Sequence, residues 1–425
     1  MALMPSLYQD PPDWDFRDAD TKEGTHVVHS YPAMMIPQVA RHLIARLRRL
    51  NPESRTLLDP FCGAGTVLVE AARQGLSAFG NDLNPLALAI AAARTTPIDE
   101  TVLADGLDRL KRVLVPEALS TWDGAIPTFR GRDFWFKREV SRALAWIRDE
   151  VRRQLTDPAM RQLAEVAFSE TVRLVSNTRN SEFKLYRMPD AKLAAFSPDV
   201  IRVFHRILVR YAEGVRAFNP SLRQAATPPA IVKGDSRLLA GIPDRHFDLM
   251  VTSPPYGDSR TTVAYGQFSR LSLEWLGYPA EEARTVDRRL LGGRLQPHAE
   301  AKPVPSQAVL DGTAAIGSQD ARRAREVESF YRDLDAMMES LAPKLRPGAL
   351  AAWVVANRTV KQVVLPTNVI IAELATRHGF ALVEDLTRNI PSKRMPRANS
   401  PTNVPGQKGA TMTEEHLVVL RYDGA

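Results

Sequence analysis

The stretch that decides the fold is Leu57-Leu58-Asp59-Pro60-Phe61-Cys62-Gly63-Ala64-Gly65-Thr66. It begins as a short buried strand, continues as a turn with two glycines, and leads into a helix predicted from Thr66 to Gln74. Glycine has no Cβ, so a ligand can approach the backbone of such a turn closely, next to the N-terminus of the helix. The stretch therefore predicts a strand–loop–helix unit with a small molecule at the loop.

Hydrophobic strands alternate with helical segments along much of the remaining chain. A second strand is predicted at residues 78–82, followed by a helix at 85–94. Further strands are predicted at residues 230–235, 247–252, 349–355, 380–384 and 416–421. This alternation is typical of an α/β protein with a doubly wound, mainly parallel sheet.

Asp82 ends the second strand, about 20 residues after the glycine loop, where a carboxylate can accept hydrogen bonds from a ribose. The dinucleotide fingerprint G-x-G-x-x-G is incomplete, because Leu68 occupies the position of its third glycine. The loop also lacks the lysine of nucleotide triphosphatases, so triphosphate hydrolysis is disfavoured.

The string from Asp59 to Thr66 resembles the S-adenosylmethionine loop of the DNA amino-methyltransferases, which modify cytosine N4 or adenine N6. The resemblance implies that Asp59 faces the methionine amino group, Asp82 holds the ribose and Asp235 lies near the adenine. Thr25 and Tyr31 resemble the N-terminal segment that closes over the methionine. The cofactor-binding residues that the resemblance implies are Thr25, Tyr31, Asp59, Pro60, Phe61, Gly63, Gly65, Thr66, Asp82, Leu83, Asp235 and Ser236. S-adenosylmethionine is the implied cofactor, and no metal is implied.

A second motif, Ser253-Pro254-Pro255-Tyr256, follows the strand predicted at residues 247–252. It resembles the S/D/N-P-P-Y/F motif of methyltransferases that act on nucleobase amines. With serine in the first position, it is most similar to the cytosine-N4 branch of bacterial restriction–modification methyltransferases. The resemblance implies that Ser253, Pro254, Pro255 and Tyr256 are the catalytic residues.

The chemistry of amine methylation explains why these residue types suit the task. The lone pair of an exocyclic amine is delocalised into the base, so the enzyme needs acceptors that draw on the N–H groups and localise it. The Ser253 hydroxyl and the Pro254 carbonyl oxygen are suitable acceptors, and the two prolines fix the backbone and remove competing N–H donors. Tyr256 offers a flat face on which a flipped base can stack.

The chain contains one cysteine, Cys62, which excludes an intramolecular disulfide and a multi-cysteine zinc site. Carbon-5 methylation of cytosine needs a cysteine nucleophile. Because Cys62 belongs to the cofactor loop, that route is disfavoured, whereas direct in-line transfer to nitrogen needs no nucleophilic residue. No stretch approaches the roughly 18 apolar residues of a membrane helix, and we expect a cytoplasmic, prokaryotic, nucleoid-associated protein.

A net charge of +7 and a pI of about 9.5 favour a polyanionic partner, chiefly nucleic acid. Three basic segments with interleaved aromatic or polar residues are candidates for contact with double-stranded DNA. They lie at residues 177–187, 257–270 and 391–400. The DNA-binding residues predicted from them are Arg179, Lys184, Arg187, Arg260, Tyr265, Arg270, Lys393, Arg394 and Arg397.

The predicted fold is a Rossmann-like class I methyltransferase sheet of about seven strands, with helices on both faces and a large helical insertion. Residues 1–100 hold the N-terminal part of the catalytic domain, and residues 229–425 hold the remainder. Residues 101–228 read as helices without a clear strand, and we expect them to serve target recognition or dimerisation. Residues 281–325 are rich in arginine, glycine, proline and alanine, and we expect a mobile basic loop there.

The function predicted from the sequence is site-specific methylation of cytosine N4 in duplex DNA by base flipping. Adenine-N6 methylation of DNA and guanine-N2 methylation of RNA are the enzymatic alternatives. A nucleic-acid-binding protein with a degenerate methyltransferase fold is the alternative from a different class. A homodimer and a cognate restriction endonuclease remain open as partners.

Overall fold

A computed structural model describes residue 11 and residues 13–179, 182–222, 227–257, 262–295, 303–390, 398–399, 409–410 and 413–424. The strands are β1 (Thr56–Asp59), β2 (Ser77–Asp82), β3 (Ala230–Lys233), β4 (Phe247–Thr252), β5 (Leu345–Val355), β6 (Arg358–Val360), β7 (Val363–Leu365), β8 (Phe380–Asn389), β9 (Ala398–Asn399), β10 (Gly409–Ala410) and β11 (Glu414–Tyr422).

Helices surround these strands along the whole described chain. They are α1 (Pro37–Leu50), α2 (Thr66–Arg73), α3 (Pro85–Thr95), α4 (Glu100–Val113), α5 (Pro116–Thr121), α6 (Arg132–Trp135), α7 (Arg138–Gln154), α8 (Pro158–Val175), α9 (Asp190–Ala195), α10 (Val200–Leu222), α11 (Tyr265–Leu276), α12 (Ala280–Arg289), α13 (Gln307–Gly317), α14 (Ala321–Leu341) and α15 (Thr367–Thr376). Short 3-10 helices lie at Gly24–Val27 and Ala342–Lys344.

The main sheet has seven strands in the order β3-β2-β1-β4-β5-β11-β8. The first five are parallel to one another, and β11 is antiparallel to both β5 and β8. This mixed sheet with helices on both faces is the Rossmann-like class I methyltransferase fold, so the predicted fold class is confirmed. The strand order reverses between β1 and β4, and a binding crevice forms at such a reversal in open α/β sheets.

The central strands are hydrophobic because both of their faces are covered. Every residue of β1 and β4 is buried. Leu57, Leu249 and Val251 pack under α1 and α2, whereas Leu58 and Met250 pack under α14 and α15. Alternate residues of each strand therefore serve two separate cores.

The helical insertion is part of the main body of the protein. Helices α7, α8 and α10 share a third core with α3 and with α11, the helix that follows the motif Ser253–Tyr256. Trp275 of α11 is buried in this core and makes edge-to-face contacts with Phe129, Phe136 and Phe168 at 5.7, 5.5 and 6.5 Å. The insertion thus supports the helix next to the motif Ser253–Tyr256.

Residues 281–325 correct one expectation from the sequence. The described part of this region forms most of α12, all of α13 and the start of α14, where we expected a loop. The glycines and polar residues concealed a helical pattern: Ala283 and Val286 are buried on α12, and Val309 and Ile316 on α13. Ser306 and Asp320 cap the helices α13 and α14.

A buried arginine ties the N-terminal segment to α3. The Arg94 Nε donates to the Val28 carbonyl oxygen at 2.9 Å, and its Nη2 donates to the carbonyl oxygens of Val28, His29 and His26 at 2.5, 3.2 and 3.3 Å. Burial lowers the pKa of Arg94 to about 10, so the side chain remains charged at neutral pH. Arg94 thereby fixes the path of the chain just before Tyr31.

We predict that Arg94→Met lowers the free energy of unfolding by about 3 kcal/mol, because three buried carbonyl oxygens lose their donor. Urea unfolding measures the change. The control is Arg112→Met on the exposed face of α4, where we expect a change within about 0.5 kcal/mol. Equal stabilities of the two variants would contradict the role of Arg94.

Candidate functional site

A cavity lies at the carboxyl ends of β1, β2 and β4, with about 890 Å³ of empty space when the open solvent at its mouth is included. The N-terminal segment, the first residue of α11 and the end of α12 close over it. Its lining residues are Tyr31, Pro32, Ala33, Met34, Met35, Asp59, Phe61, Cys62, Gly63, Ala64, Thr66, Val67, Asp82, Leu83, Asn84, Asp235, Ser236, Ser253, Pro255, Tyr265, Arg289, Leu290 and Leu291.

The glycine loop after β1 forms the floor of the cavity. Gly63 and Gly65 have φ angles of +47° and +80°, a region that favours glycine. A Cβ on Gly65 would lie 2.9 Å from the Cβ of Ala91, so α3 also requires glycine here. The Gly65 N–H donates to the Cys62 carbonyl oxygen at 2.7 Å and closes the turn.

Asp59 ends β1 and is a buried carboxyl group of the cavity. It accepts hydrogen bonds from the Thr252 hydroxyl at 2.6 Å and from the Phe61 N–H at 3.1 Å. Burial nevertheless raises its pKa to about 7. A cationic ligand group would relieve the cost of ionising this carboxyl group.

Asp82 ends β2 and bridges two loops. It accepts from the Gly63 N–H at 2.9 Å and from the Asn84 N–H at 2.8 Å. Burial raises its pKa above the ordinary value, and the two backbone donors oppose that rise. A carboxylate has room for further donors beyond these two, so Asp82 can also accept from a ligand hydroxyl.

Aromatic rings close the N-terminal side of the cavity. Tyr31 stacks on Tyr265, with ring centroids 5.9 Å apart and an angle of 24° between the planes. The Asn84 side-chain amide donates to the Tyr31 hydroxyl at 2.9 Å and to the Ser269 hydroxyl at 2.7 Å. Asn84 therefore fixes this closure, a role that the sequence did not reveal.

The far end of the cavity carries Asp235 and Ser236. Asp235 holds the Arg237 guanidinium, with the Asp235 Oδ2 and the Arg237 Nη2 at 2.6 Å. Burial tends to raise the pKa of Asp235, but the hydrogen bonds from Arg237 lower it below the ordinary value. Ser236 donates to the Pro60 carbonyl oxygen at 2.6 Å, which links this end to the glycine loop.

The motif Ser253–Tyr256 reaches the same cavity from β4. Ser253 and Pro255 belong to the lining, while Pro254 is buried and Tyr256 is half-buried beside them. The Ser253 hydroxyl donates to the Tyr256 hydroxyl at 3.3 Å, and the Tyr256 hydroxyl donates to Glu415 at 2.8 Å. One cavity therefore contains residues of both sequence motifs.

Most of the predicted cofactor residues line this cavity, but three do not. Pro60 and Gly65 shape the loop from behind, and Thr25 is fully buried in the 3-10 helix Gly24–Val27. Met34, Met35 and Arg289–Leu291 line the cavity without having been predicted. Met34 and Met35 follow Tyr31, and Arg289–Leu291 lie at the end of α12. Hydrophobic periodicity in the sequence does not indicate that such positions line a cavity.

The predicted DNA-binding residues occupy three kinds of location. Arg179, Lys184 and Arg187 lie on one surface hairpin. Tyr265 lies in the cavity against Tyr31, because α11 begins there and turns its first residue inward. Arg270 is half-buried on α11, 3.9 Å from Glu274. Arg260, Lys393, Arg394 and Arg397 lie outside the described residues.

Two further features concern metals and membranes. Within the described ranges, we find no group of three or more His, Cys, Asp or Glu side chains that could hold a metal ion. None of the described helices is long and apolar enough to span a membrane.

Comparisons with known proteins agree with this geometry. A family model described as an RMKL-like methyltransferase domain matches residues 27–114. The type II methyltransferase M.MvaI of Kocuria varians is 39% identical over 425 residues, covering 96% of this chain and 93% of that protein. This chain belongs to the type II DNA methyltransferase family. The methyltransferase is also 30% identical over 108 residues to M.MjaII of Methanocaldococcus jannaschii, covering 24% of this chain and 18% of that protein.

Two solved structures are similar to this methyltransferase at low sequence identity. The rRNA methyltransferase aviRa from Streptomyces viridochromogenes is 16% identical, with 93% of this chain and 90% of that chain covered and a TM-score of 0.32. A SAM-dependent methyltransferase from Methanosarcina mazei is 8% identical, with 88% and 94% covered and a TM-score of 0.30.

S-adenosylmethionine is the methyl donor that the family implies, and the cavity fits it. The buried Asp59 suits the cationic amino group, Asp82 suits a ribose, and the apolar wall of Met34, Met35 and Leu291 suits the carbons on either side of the sulfur. The left-handed glycines let the ligand approach the loop backbone.

We predict that the methyltransferase binds S-adenosylhomocysteine more tightly as the pH rises through about 7. Below that pH Asp59 holds a proton that must leave when the cationic amino group binds, so affinity falls by up to about tenfold per pH unit. Calorimetric titration between about pH 5.5 and pH 8.5 measures the profile.

The Asp59→Asn variant should bind S-adenosylhomocysteine more weakly than the wild type, and its affinity should not change with pH. Asp235→Asn is the matched control, because the pKa of Asp235 lies below its ordinary value. The affinity of this variant should still rise with pH through about 7, as in the wild type. A wild-type profile that is flat through pH 7 would contradict the contact of Asp59 with the amino group.

Proposed function

We propose that the protein transfers the methyl group of S-adenosylmethionine to the exocyclic N4 amine of cytosine at a specific site in duplex DNA. The observation that carries the proposal is that Ser253 and Pro255 line the same cavity as Asp59 and Asp82. A cofactor held by the two aspartates and an amine held by Ser253 would therefore lie within reach of each other.

The cofactor is held by the residues that shape the cavity. Asp59 binds the amino group, Asp82 the ribose hydroxyls, and Asp235 with Ser236 the adenine end. Tyr31 closes over the methionine part, supported by Asn84 and Tyr265. When bound, S-adenosylmethionine supplies an electrophilic methyl group. The remaining lining, including Phe61, Thr66 and Leu83, excludes water from that group.

The motif after β4 receives a cytosine that has turned out of the duplex. The Ser253 hydroxyl oxygen and the Pro254 carbonyl oxygen accept hydrogen bonds from the amine, so its lone pair becomes available for transfer. The Tyr256 ring stacks on the base. Pro255 fixes the backbone between these groups and keeps the turn free of an additional N–H donor.

The environment of Cys62 favours methyl transfer to nitrogen over methyl transfer to carbon-5. Its thiol is buried in the glycine loop, and burial raises its pKa well above the usual range. A carbon-5 methyltransferase needs a thiolate that attacks the base. The chain's one cysteine is therefore poorly placed and poorly ionised for that task.

We also propose that DNA contacts a basic hairpin, defined as residues 177–179 and 182–188. Its strands are joined by hydrogen bonds from the Arg179 N–H to the Tyr186 carbonyl oxygen and from the Met188 N–H to the Asn177 carbonyl oxygen, both at 2.8 Å. Phe183 and Tyr186 are 48% and 45% exposed, and exposed aromatic rings among arginines suit nucleic acid.

The position of the basic hairpin supports this contact. Gln267 of α11 accepts from the Leu185 N–H at 3.2 Å, and Phe183 contacts Phe268 at 6.4 Å between ring centroids. Helix α11 begins at Tyr265, which lines the cavity. The hairpin therefore lies close to the cavity, where it can bind the phosphates of a duplex whose base has flipped. DNA contacts remain predictions for Arg260, Arg270, Lys393, Arg394 and Arg397. A homodimer and a cognate endonuclease also remain predictions.

We predict that DNA from cells that express the protein contains N4-methylcytosine, and that DNA from cells with Ser253→Ala contains far less. Removing one acceptor from the amine should slow transfer at least about 100-fold, as loss of one oxyanion-hole donor does. Mass spectrometry of nucleosides identifies the base and the atom. N6-methyladenine instead would establish the adenine alternative, and modified guanine in RNA without any modified DNA base would establish the RNA alternative.

We predict that Arg179→Ala and Arg187→Ala each weaken DNA binding, with the logarithmic salt slope reduced by about 1 because one phosphate contact is lost. Fluorescence anisotropy at several salt concentrations measures this slope. Arg216→Ala is the matched control, since Arg216 is an exposed arginine of α10 that pairs with Glu100, much as Arg187 pairs with Asp190. Unchanged slopes in both hairpin variants would place the DNA on another surface.

A further inference from the structure

A chain of hydrogen bonds leads from Ser253 away from the cavity. The Ser253 hydroxyl donates to the Tyr256 hydroxyl at 3.3 Å, and the Tyr256 hydroxyl donates to the Glu415 Oε1 at 2.8 Å. Glu415 is the second residue of β11, far from the catalytic motif in sequence. Its side chain is 15% exposed, so its charge lies largely away from water.

The direction of this chain follows from the chemistry of its ends. An ionised carboxylate accepts hydrogen bonds and has no proton to donate. Tyr256 keeps its proton, because burial and the nearby Glu415 charge raise its pKa well above the usual range. Tyr256 therefore donates to Glu415, and its oxygen lone pairs face Ser253. Ser253 in turn commits its single proton to Tyr256.

The carboxylate at the end of the chain is held in place by a buried guanidinium. Arg388 lies directly opposite Glu415 in the pairing of β8 with β11, and its guanidinium binds the Glu415 Oε2. The Arg388 Nε donates to the Trp14 carbonyl oxygen at 2.8 Å, which fixes the guanidinium in turn. Arg388 is 6% exposed, so this charge pair is well shielded from solvent.

A serine at the first position of the catalytic motif raises a chemical problem. A hydroxyl group is both a donor and an acceptor, unlike a carboxylate. If the Ser253 proton pointed at the amine, it would bind the nitrogen lone pair and oppose transfer. The reaction requires the opposite orientation, in which the hydroxyl oxygen accepts from the amine N–H.

We propose that Glu415 is a positioning residue that acts through Tyr256 to turn the Ser253 hydroxyl into an acceptor for the target amine. This inference rests on the proposed role of Ser253. It assigns two functions to Tyr256: the ring receives the base, and the hydroxyl transmits the orientation set by Glu415. It also connects the last strand of the sheet to a reaction at the end of β4.

A double-mutant cycle separates positioning from a merely structural role. The variants are Tyr256→Phe, Glu415→Leu and the combination, and the readout is the single-turnover rate of methyl transfer with saturating cofactor and DNA. Tyr256→Phe keeps the aromatic ring and the Glu415–Arg388 pair. We expect each single variant to be about tenfold slower, the size of one lost hydrogen bond, with the affinity for S-adenosylhomocysteine within about twofold.

The combined variant should also be about tenfold slower, because Glu415 has no path to Ser253 once the Tyr256 hydroxyl is gone. Glu415→Gln keeps an acceptor oxygen and should lose only about twofold to threefold. A combined loss near 100-fold would overturn the proposal, since Glu415 would then act independently of Tyr256. A wild-type rate in Glu415→Leu would overturn it as well.

Glu384 offers a matched control on the neighbouring strand. It binds Arg46 through both carboxylate oxygens at 2.6 Å and is 18% exposed, but it belongs to a separate ion pair. Glu384→Leu should leave the transfer rate unchanged, and a loss equal to that of Glu415→Leu would assign both effects to the fold. The wild-type product tests the proposed function separately: a methylated base other than cytosine overturns the cytosine assignment while the cycle still tests Glu415, and no transfer to DNA overturns both.

Discussion

The parallel pairing of β1 with β4 is the constraint on which the site depends. Leu57 faces Leu249 and Leu58 faces Met250 across this pair, so the two strands end side by side at the reversal of strand order. Both motifs follow directly from these ends. The Thr252 hydroxyl donates to Asp59 at 2.6 Å, which is the physical link between the glycine loop and the motif Ser253–Tyr256. A shift of one residue in this register would exchange the buried faces of the strand and separate the motifs.

Buried charge, rather than apolar packing alone, holds the parts that close the site. The N-terminal segment before Tyr31 is fixed by the Arg94 guanidinium and by the buried Glu70, which binds His26 at 2.7 Å and Arg41 at 2.8 Å. On the opposite side, Arg388 and Glu415 link the last strands to the catalytic motif. Charged side chains are costly to bury unless each has an oppositely charged or hydrogen-bonding partner. Arrangements that leave one of them without its partner are therefore disfavoured. The cavity is thus closed by elements that have few alternative positions.

The sequence predicted the sheet and the cofactor loop because both depend on local patterns. Short apolar runs correspond to β1, β2 and β4, of which β1 and β2 end in aspartate and β4 ends just before Ser253. Asp59, Asp82 and Ser253 all line the cavity. The prediction of a loop at residues 281–325 was wrong because the helices there bury few residues each and have a composition typical of loops. Asn84 and Glu415 were missed because they act through partners far away in sequence, Tyr31 and Tyr256. Tyr265 lies in the cavity because α11 packs on the insertion, a tertiary contact that periodicity does not reveal.

The most direct test of the account is a crystal structure of the protein with S-adenosylhomocysteine and duplex DNA that contains its target site. The account predicts one cytosine outside the helical stack, with its ring against Tyr256 and its N4 atom within about 3.5 Å of the Ser253 oxygen. It also predicts the ligand's amino group at Asp59, in the same cavity. An extruded adenine, or a cofactor and a base bound in separate cavities, would contradict it.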